Sequence, residues 1–272
     1  MMNVNTEKCI GCGLCVKDCF VRDIEMVDGK AKIKNEACFK CGHCVAICPK
    51  EAVSTDDYNM EEVKAYNKDE FEIEPERLLN FIKFRRTVRQ FQAKDIEIEK
   101  LNKIIDAGRF TQTGSNAQNV SYVVVRENLN KLKALAFEGL SNYGKYMLNN
   151  LTPETAHFKR YAEMWIQMNE EFKADNTKDK LFFNAPAVVL VLSESEVNGA
   201  LASSNMELMV DALGLGTFFS GFFVRAAQGN KEIMELLGIN EGQKIVTCMV
   251  IGYPAVKYSR TVPRKDAVVS WK

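Results

Sequence analysis

Two dense cysteine runs near the N-terminus constrain this chain more than any other feature. The runs are "CIGCGLCVKDCF" at 9–20 and "CFKCGHCVAICP" at 38–49, and between them they hold eight of the nine cysteines. In each run, C-x2-C-x2-C is followed by a fourth cysteine after three residues. This spacing is typical of [4Fe–4S] sites, where three thiolates wrap one cluster and the fourth ligates the other cluster.

The spacing predicts two [4Fe–4S] clusters with exchanged fourth ligands. The predicted ligand sets are Cys9, Cys12, Cys15 and Cys48 for one cluster and Cys38, Cys41, Cys44 and Cys19 for the other. Structural zinc is the main alternative, but zinc sites usually draw their ligands as two separated pairs. Disulfides are disfavoured in a reducing compartment. His43 lies inside the second run and is expected to be a surface residue, because four thiolates already serve each cluster.

The cysteine spacing repeats with an offset of 29 residues, which indicates two copies of one small unit in a domain spanning 1–54. Because so short a segment buries little apolar surface, it is expected to depend on its metal clusters for folding. Residues 55–74 are acidic and are interpreted as a linker with room for a short helix. A second domain is predicted over 75–272.

Residues 4–54 resemble the two-cluster bacterial ferredoxins. Cys48 is followed by Pro49 as in that family, but Cys19 is followed by Phe20, which departs from the family at the turn after the ligand. Gly11, Gly13 and Gly42 are expected to let the backbone turn close to the clusters.

Apolar periodicity after residue 75 indicates a mixed domain of helices and strands, either α/β or α+β. Helices are predicted from Pro75 and around "EKLNKIIDAGRF", and most of 127–180 has a helical pattern. Apolar runs rich in β-branched residues predict strands; they are "SYVVVRE", "APAVVLVLSE" and "KIVTCMVIGYP". The stretch "GALASSNMELMVDALGLG" (199–216) predicts a buried helix that is apolar nearly all round and ends at glycines.

Composition excludes several classes of function. Lys+Arg and Asp+Glu balance at 36 each, so no overall field favours nucleic acid or an anionic membrane. No apolar run approaches the roughly 18 residues of a membrane span. A cytoplasmic location is therefore expected, and neither nucleic acid nor a membrane is an expected partner.

The segment "KFRRTVRQF" (83–91) concentrates basic residues after the first helix of the large domain. It is either a solvated basic face or a phosphate site, since arginine guanidinium groups bind phosphate with two hydrogen bonds. No G-x-G-x-x-G follows a strand, so a Rossmann dinucleotide site is not supported.

Residues 75–272 resemble the FMN-dependent nitroreductase family. The family's R-R-[ST]-x-R motif is matched, and "TGSNAQNVSY" matches its flavin loop, although the family's Pro-Trp is Asn119–Val120 here. "FFSGFF" corresponds to the backbone that crosses the flavin face, and a basic residue of the C-terminal tail returns to the phosphate. The resemblance implies these FMN-binding residues: Arg85, Arg86, Thr87, Arg89, Ser115, Asn116, Gln118, Ser220, Gly221 and Arg264, with Arg260 as the competing choice for the last.

The resemblance also implies an α+β domain with a central, mainly antiparallel sheet flanked by helices, and a homodimer with FMN at the subunit interface. The expected function is an oxidoreductase in which electrons pass from two [4Fe–4S] clusters to FMN and then to an organic acceptor such as a nitroaromatic or a quinone. Dehalogenation or dehydrogenation on the same scaffold, and a non-catalytic electron carrier or redox sensor, remain as alternatives. The donor stays open among NAD(P)H, ferredoxin and flavodoxin.

The remaining expectations concern a single cysteine, a histidine and a polar segment. Cys248 is expected to be a small buried hydrophobic residue. No catalytic role is assigned to His157. Residues 141–178 either cover the flavin or pack as ordinary helices, and the sequence does not decide between the two.

Overall fold

The chain divides into two compact units. The computed structural model describes residues 1–240 and 242–272. The first unit comprises Met1–Glu74 together with Thr113–Ala117, and the second comprises Pro75–Gln112 and Gln118–Lys272. Within the described residues, no helix is both long enough and apolar enough to span a membrane.

The first unit consists of short strands and helices. In chain order they are β1 (Met2–Val4), α1 (Leu14–Asp18), β2 (Ile24–Val27), β3 (Lys30–Ile33), α2 (His43–Ala46), β4 (Val53–Thr55) and α3 (Lys68–Phe71), with a 3-10 turn at Met60–Glu62. Strand β1 pairs antiparallel with β4, and β2 pairs antiparallel with β3.

The internal repeat is visible in this order. A shift of 29 residues carries β1 onto β3, α1 onto α2, and β2 onto β4. Each two-stranded sheet therefore takes one strand from each copy, so the two copies interlock. The α1 and α2 helices start after Gly13 (φ 71°) and Gly42 (φ 76°), whose left-handed conformation suits glycine.

The second unit is built from longer elements. They are α4 (Pro75–Phe84), α5 (Ile98–Arg109), β5 (Val120–Val125), α6 (Leu129–Asn149), α7 (Lys159–Ala174), β6 (Ala187–Ser193), α8 (Glu196–Ala212), β7 (Gly216–Phe219), α9 (Gly221–Ala227), α10 (Lys231–Leu237) and β8 (Ile245–Gly252). The strand order is β5-β6-β8-β7, and every pairing is antiparallel. This confirms the predicted α+β domain with a mainly antiparallel sheet.

Side chains of the central strands point alternately to the two faces of the sheet, so a hydrophobic core forms on each face. Val188 and Leu190 of β6 face the side covered by α6, α7 and α9, whereas Val189 and Val191 face the side covered by α5 and α8. Every residue of β6 is buried. A strand covered on both faces has no need of polar alternation, which explains the continuous apolar run in the sequence.

The predicted helix at 199–216 is wrong in extent and in burial. It runs from Glu196 to Ala212 and buries only one face, while Val197 and Leu201 are exposed. Gly214 (φ 72°) then turns the chain, and 216–219 form β7 against β8. The missed strand is short, and its pairing partner β8 lies 30 or more residues away along the chain, so local periodicity did not indicate it.

Candidate functional site

The first candidate site is a cavity in the first unit. It is lined by Cys9, Cys12 and Cys15 from the first cysteine run and by Cys48 from the second. Cys12 is exposed, whereas Cys9 is buried. This set matches the ligand set expected for one cluster.

The second candidate site is a neighbouring cavity of the same unit. Its cysteines are Cys38, Cys41 and Cys44 from the second run and Cys19 from the first. Because β1 pairs with β4 and β2 with β3, the interlocked copies place the last cysteine of each run beside the other run. The tertiary structure thus groups the cysteines as the exchange of fourth ligands requires.

Backbone amides point at the cysteine sulfurs. The amide of Asp23 donates to Cys19 Sγ at 3.3 Å, and the repeat-equivalent amide of Ala52 donates to Cys48 Sγ at 3.2 Å. The amide of Lys40 donates to Cys38 Sγ at 3.4 Å. Such N–H···S bonds stabilise negative charge on sulfur and tune the potential of a bound cluster.

Backbone hydrogen bonds and burial also shift the pKa values of the cysteine thiols. Hydrogen bonds from the backbone of Ala31 and Gly11 lower the pKa of Cys9. Burial raises the pKa of Cys44 to about 11, helped by the nearby Cys38 and Cys41. Buried thiols of this kind become thiolates when a cation binds them.

The donor set fits a cluster of several atoms. In residues 1–240 and 242–272, no three His, Cys, Asp or Glu side chains converge closely enough to hold a single metal ion. The eight cysteines of the two runs line two cavities, four to each, and an all-thiolate donor set fits an iron–sulfur cluster.

Two smaller expectations concern the ferredoxin-like loops. Phe20 replaces the family's proline and is 88% exposed, and the turn after Cys19 is made by Arg22 in a left-handed conformation (φ 54°). Its repeat equivalent, Glu51, has φ 48°. The turn therefore forms without proline. His43 is exposed and lies 3.2 Å from Asp18, as a surface residue would.

The arginine segment lies in the second unit, alongside β7. Thr87 bridges Thr217, and the amide of Val88 donates to the carbonyl of Thr217 at 3.0 Å. A methyl group at Gly216 would lie 2.7 Å from the Val88 side chain, so glycine permits this close approach. The structure thereby brings 85–89 next to the strand that leads into Ser220 and Gly221.

The three arginines of this segment have different environments. Arg85 Nη1 contacts Glu207 Oε1 at 2.6 Å. Arg86 donates to the carbonyl of Lys83 at 2.6 Å, and its buried Nε has no hydrogen-bond partner among the described residues. The Arg89 guanidinium lies 5.4 Å from the centre of the Phe218 ring. An unsatisfied guanidinium nitrogen is costly unless a ligand accepts from it, which favours an anion at this segment.

Glu207 is a residue that the sequence analysis missed. Burial raises its pKa, while Arg85 opposes that rise. One turn further along α8, burial and repulsion by Glu207 raise the pKa of Asp211 to about 6. In the sequence, two acidic residues four positions apart on a mostly apolar helix could have indicated this pair.

The hydroxyl and the amide of Ser220 are both hydrogen-bonded within the second unit. Its hydroxyl donates to the carbonyl of Leu181 at 3.1 Å and accepts from the amide of Phe223, while its own amide donates to the carbonyl of Cys248 at 2.8 Å. The side chain therefore caps α9. The predicted contact of Ser220 and Gly221 with FMN is a backbone contact, and it stays a prediction. A methyl group at Gly221 would meet open space.

The predicted flavin loop is divided between the units. Ser115 and Asn116 belong to the first unit, and Gln118 belongs to the second. All three have left-handed backbone conformations, with φ between 46° and 53°. The Asn116 side chain donates to the carbonyls of Phe39 and Lys40.

The C-terminal segment begins along the arginine segment. The amide of Ala255 donates to the carbonyl of Gln90 at 2.8 Å, and the Tyr258 hydroxyl lies 3.4 Å from the carbonyl of Thr87. Arg260 and Arg264 follow in the exposed tail, where Arg264 Nη1 is 3.5 Å from the carbonyl of Pro263. The structure does not bring Arg264 to the other predicted residues.

Residues 141–178 contribute to helix packing. Trp165 is buried against the rings of Tyr143 and Phe222, with centroid distances of 5.8 Å and 5.7 Å. The Arg225 guanidinium lies 5.7 Å from the Trp165 ring. Cys248 is fully buried, as expected.

Comparison with known proteins decides the family. A sequence model of the Nitroreductase family matches residues 82–253, and a model of the 4Fe-4S dicluster domain matches residues 1–49. The chain belongs to the nitroreductase family. It carries an N-terminal 4Fe-4S dicluster domain, so the predicted arrangement of a ferredoxin-like domain followed by a nitroreductase domain is confirmed.

Relatives and solved structures agree with this assignment. An Archaeoglobus fulgidus protein that is provisionally named an NADH dehydrogenase/NAD(P)H nitroreductase is 23% identical over 189 residues. The match covers 66% of this chain and 86% of that protein. An FMN-bound nitroreductase from Bacteroides fragilis has 20% identity and a TM-score of 0.55, covering 71% of this chain and 98% of its own. An FMN-bound nitroreductase from Desulfitobacterium hafniense has 18% identity and a TM-score of 0.53, covering 71% and 97%. These likenesses show the nitroreductase fold.

Proposed function

We propose that this nitroreductase-family oxidoreductase takes electrons in through two [4Fe–4S] clusters, passes them to FMN, and reduces an organic acceptor such as a nitroaromatic or a quinone. The observation that carries the proposal is the pair of cavities, each lined by three cysteines of one run and the fourth of the other. They occupy the same chain as an arginine segment held against β7. When bound, the clusters supply one-electron transfer and FMN converts it to two-electron chemistry.

The cavity-lining cysteines are proposed as the ligands. Cys9, Cys12, Cys15 and Cys48 hold the first cluster, and Cys38, Cys41, Cys44 and Cys19 hold the second cluster. The backbone amides at Asp23 and Ala52 keep the sulfurs of Cys19 and Cys48 in place. Removing one ligand is expected to affect both copies, because each copy contributes to both sites.

The FMN phosphate is proposed to bind at Arg86, Thr87 and Arg89, with Arg264 or, alternatively, Arg260 closing the site from the tail. The buried, unsatisfied Nε of Arg86 supports this placement. Arg85 acts as a positioning residue, because its guanidinium is held by Glu207. Amide and hydroxyl groups of Gln118 and Ser115 suit the polar edge of the flavin ring.

A second copy of the chain is proposed to complete the site. Helix α4 buries none of its residues within the chain, although Leu78, Leu79 and Ile82 follow helical spacing and are each at least 40% exposed. Three apolar side chains of this size on one helix are typical of an interface. The exposed Trp271 of the tail is a further apolar group that a partner subunit would cover.

The test is parallel anaerobic reduction of the purified holoprotein with NADH, NADPH and a reduced ferredoxin, followed by cluster and flavin absorbance. Reoxidation by a nitroaromatic or a quinone is the expected result. Reoxidation by an iodinated or chlorinated aromatic instead would favour dehalogenation, and no reoxidation by any organic acceptor would favour an electron carrier.

A matched pair of variants tests the relay itself. Cys12→Ser removes a proposed ligand, whereas Cys248→Ala removes a buried cysteine that is not a proposed ligand. Flavin reduction by the effective donor is expected to be lost in the first variant and kept in the second. Equal rates in Cys12→Ser and the unmodified protein would show that the clusters only brace the fold.

A further inference from the structure

Asp23 is a buried acidic residue of the first unit that is not a proposed ligand. It is 2% exposed and is among the residues that line the second cavity, together with Cys19, Cys38, Cys41 and Cys44. Its Oδ2 atom is buried and has no hydrogen-bond partner among the described residues. Because buried polar groups are almost always hydrogen-bonded, this oxygen indicates a role beyond packing.

Asp23 contacts both cysteine runs. Its amide donates to Cys19 Sγ at 3.3 Å. Its carboxylate oxygen Oδ1 accepts from the amide of Glu36 at 3.2 Å and from that of Ala37 at 3.0 Å. Ala37 directly precedes Cys38. Asp23 therefore holds one proposed ligand through its amide and the chain that enters another through its carboxylate.

The first cysteine run is entered through the same kind of cap, made by a different residue. The amides of Glu7 and Lys8, which lead into Cys9, are the repeat equivalents of the two amides that Asp23 binds. Both donate to Asn5 Oδ1 at 3.0 Å. This cap is local and is a common asparagine turn. In the second run the acceptor instead lies 13 and 14 residues away from its donors.

Two facing positions of the repeat differ together. Asn5 is equivalent to Lys34, and Ala52 is equivalent to Asp23. The backbone contact is the same in both places: the amide of Asn5 donates to the carbonyl of Ala52 at 2.7 Å, and that of Lys34 donates to the carbonyl of Asp23 at 2.9 Å. Since a lysine side chain has no acceptor, the cap at the second site comes from the facing residue. The second site thus has a buried carboxylate where the first has alanine.

Nearby lysines increase this difference in charge. The Lys30 ammonium group donates to the carbonyl of Cys9, and Lys50 is among the residues that line the first cavity. Lys40 of the second run is instead paired with Asp57 at 2.9 Å. Positive charge stabilises the more negative, reduced form of a cluster, and negative charge stabilises the oxidised form. These charges therefore favour a lower reduction potential at the second cavity.

We propose that Asp23 makes the two sites unequal. Its carboxylate positions the chain that enters Cys38, as Asn5 positions the chain that enters Cys9. Its buried charge lowers the reduction potential of a cluster held in the second cavity below that of a cluster held in the first. The inference rests on the proposed function, because it takes the two cavities as cluster sites.

Asp23→Asn separates charge from position, because asparagine keeps the acceptor, as at Asn5, and removes the charge. The measurement is a redox titration of the full-length holoprotein, followed by the EPR signals of the reduced clusters. We expect two one-electron steps in the unmodified protein. At a fixed solution potential, Asp23→Asn should raise the ratio of reduced to oxidised cluster at least tenfold in the lower-potential step, which is about 59 mV. The other step should change less than threefold.

Asn5→Asp is the matched control for this variant. It also keeps the acceptor, but it adds its charge to an exposed side chain. Water and salt screen an exposed charge, so either step should change less than threefold. An equal shift in Asn5→Asp and Asp23→Asn would show that the burial of Asp23 is unimportant.

A second pair of variants tests the positioning role. Asp23→Ala removes the acceptor, so a chelator should take half of the iron from the holoprotein at least tenfold faster than from the unmodified protein. Adding Lys34→Asn recreates at the second site the asparagine and alanine of the first. This double variant should release iron slowly again and keep the raised potential. It also carries the potential measurement if Asp23→Asn loses its iron.

Each part of the inference can be overturned separately. Equal potentials of the two clusters in the unmodified protein, or an unchanged lower step in the variants that lack the charge, would remove the effect of the Asp23 carboxylate. Slow iron release from Asp23→Ala, or fast release from the double variant, would remove the positioning role. Unmodified holoprotein without two iron–sulfur steps would instead remove the proposed function, and the inference with it.

Discussion

The two units reach stability by different means. In the first unit the apolar cluster consists of Cys9, Ile24, Ala31 and Ala52, and α1 and α2 bury no residue. In the second unit the sheet is packed on both faces, and large side chains such as Phe137, Phe182 and Phe223 are fully buried. One core is small and made partly of cysteines that are proposed ligands, and the other is large and made of apolar side chains.

This difference assigns separate tasks to the units. A small core with little buried area depends on bound metal, and under the proposed function the same metal carries electrons. A large core supports a site on rigid strands, as β7 supports the arginine segment. Cys15, Cys19, Cys44 and Cys48, which are proposed ligands, also pack against the apolar cluster of the first unit. Under the proposed function, stability and redox function therefore depend on the same residues there.

Of the changes that distinguish the two units, removal of iron should have the largest effect on stability. Oxidative chelation takes away the centre on which the first unit packs, so that unit is expected to unfold completely while the second unit remains folded. Hydrogen exchange measures both in one sample: protection should be lost at Ile24 and Ala31 and retained at Val189 and Leu190. Retained protection at Ile24 after complete iron loss would contradict the prediction, and reconstitution with iron and sulfide is the control.

Asp179→Ala should destabilise the second unit without affecting the first. Asp179 is fully buried, bonds Lys133 at 2.8 Å, and accepts from the amides of Leu181, Phe182 and Asn184. Leaving Lys133 buried without its partner should cost about 3–5 kcal/mol in the free energy of unfolding. Denaturant unfolding measures this cost, and cluster absorbance should not change.

The exposed pair Lys180–Glu171 provides the control for that variant. Glu171→Ala should cost less than about 1 kcal/mol, because exposed ion pairs contribute little. Equal costs in the two variants would show that burial does not set the strength of the Asp179 pair.

The tail arginines offer a matched pair within the second unit. Arg264→Gln should weaken FMN binding by roughly 10- to 100-fold, the loss of one charge-assisted hydrogen bond of about 1.5–3 kcal/mol. Arg260→Gln should weaken it less. Flavin fluorescence titration of flavin-stripped protein measures both, and the reverse order would assign the phosphate contact to Arg260.

Asp211→Asn should have the smallest effect and a defined pH dependence. Burial and Glu207 raise the pKa of Asp211 from 3.8 to about 6. A raised pKa means that stability is fully present below pH 3.8 and is lost as the pH rises through about 6. The variant removes this loss, so it should be more stable than the unmodified protein by about 1–2 kcal/mol at pH 7 and equally stable near pH 3.5.

The exposed Asp106, which pairs with Arg109, is the control for Asp211. Asp106→Asn should change stability by less than about 0.5 kcal/mol at either pH. A gain at pH 7 in both variants would attribute the effect to net charge rather than to burial of Asp211.

Much of the fold could be predicted from the sequence, because its signals are local. Cysteine spacing indicated the repeat, and continuous β-branched runs indicated β6 and β8. Strand β7 was missed because it has only four residues, Gly216–Phe219, and its identity depends on pairing with β8. The burial of α8 was overestimated because composition does not tell which face of a helix meets the sheet.

The sequence by itself determined the residue types: eight cysteines in repeated spacing, an arginine segment, and an asparagine in a polar loop. Only the tertiary structure decided their partners. Arg85 meets Glu207 across 122 positions of chain, and Asn116 meets Phe39 across 77. Such contacts depend on how strands and turns return to one another, because hydrogen bonds and ion pairs form by distance in space rather than by spacing along the chain.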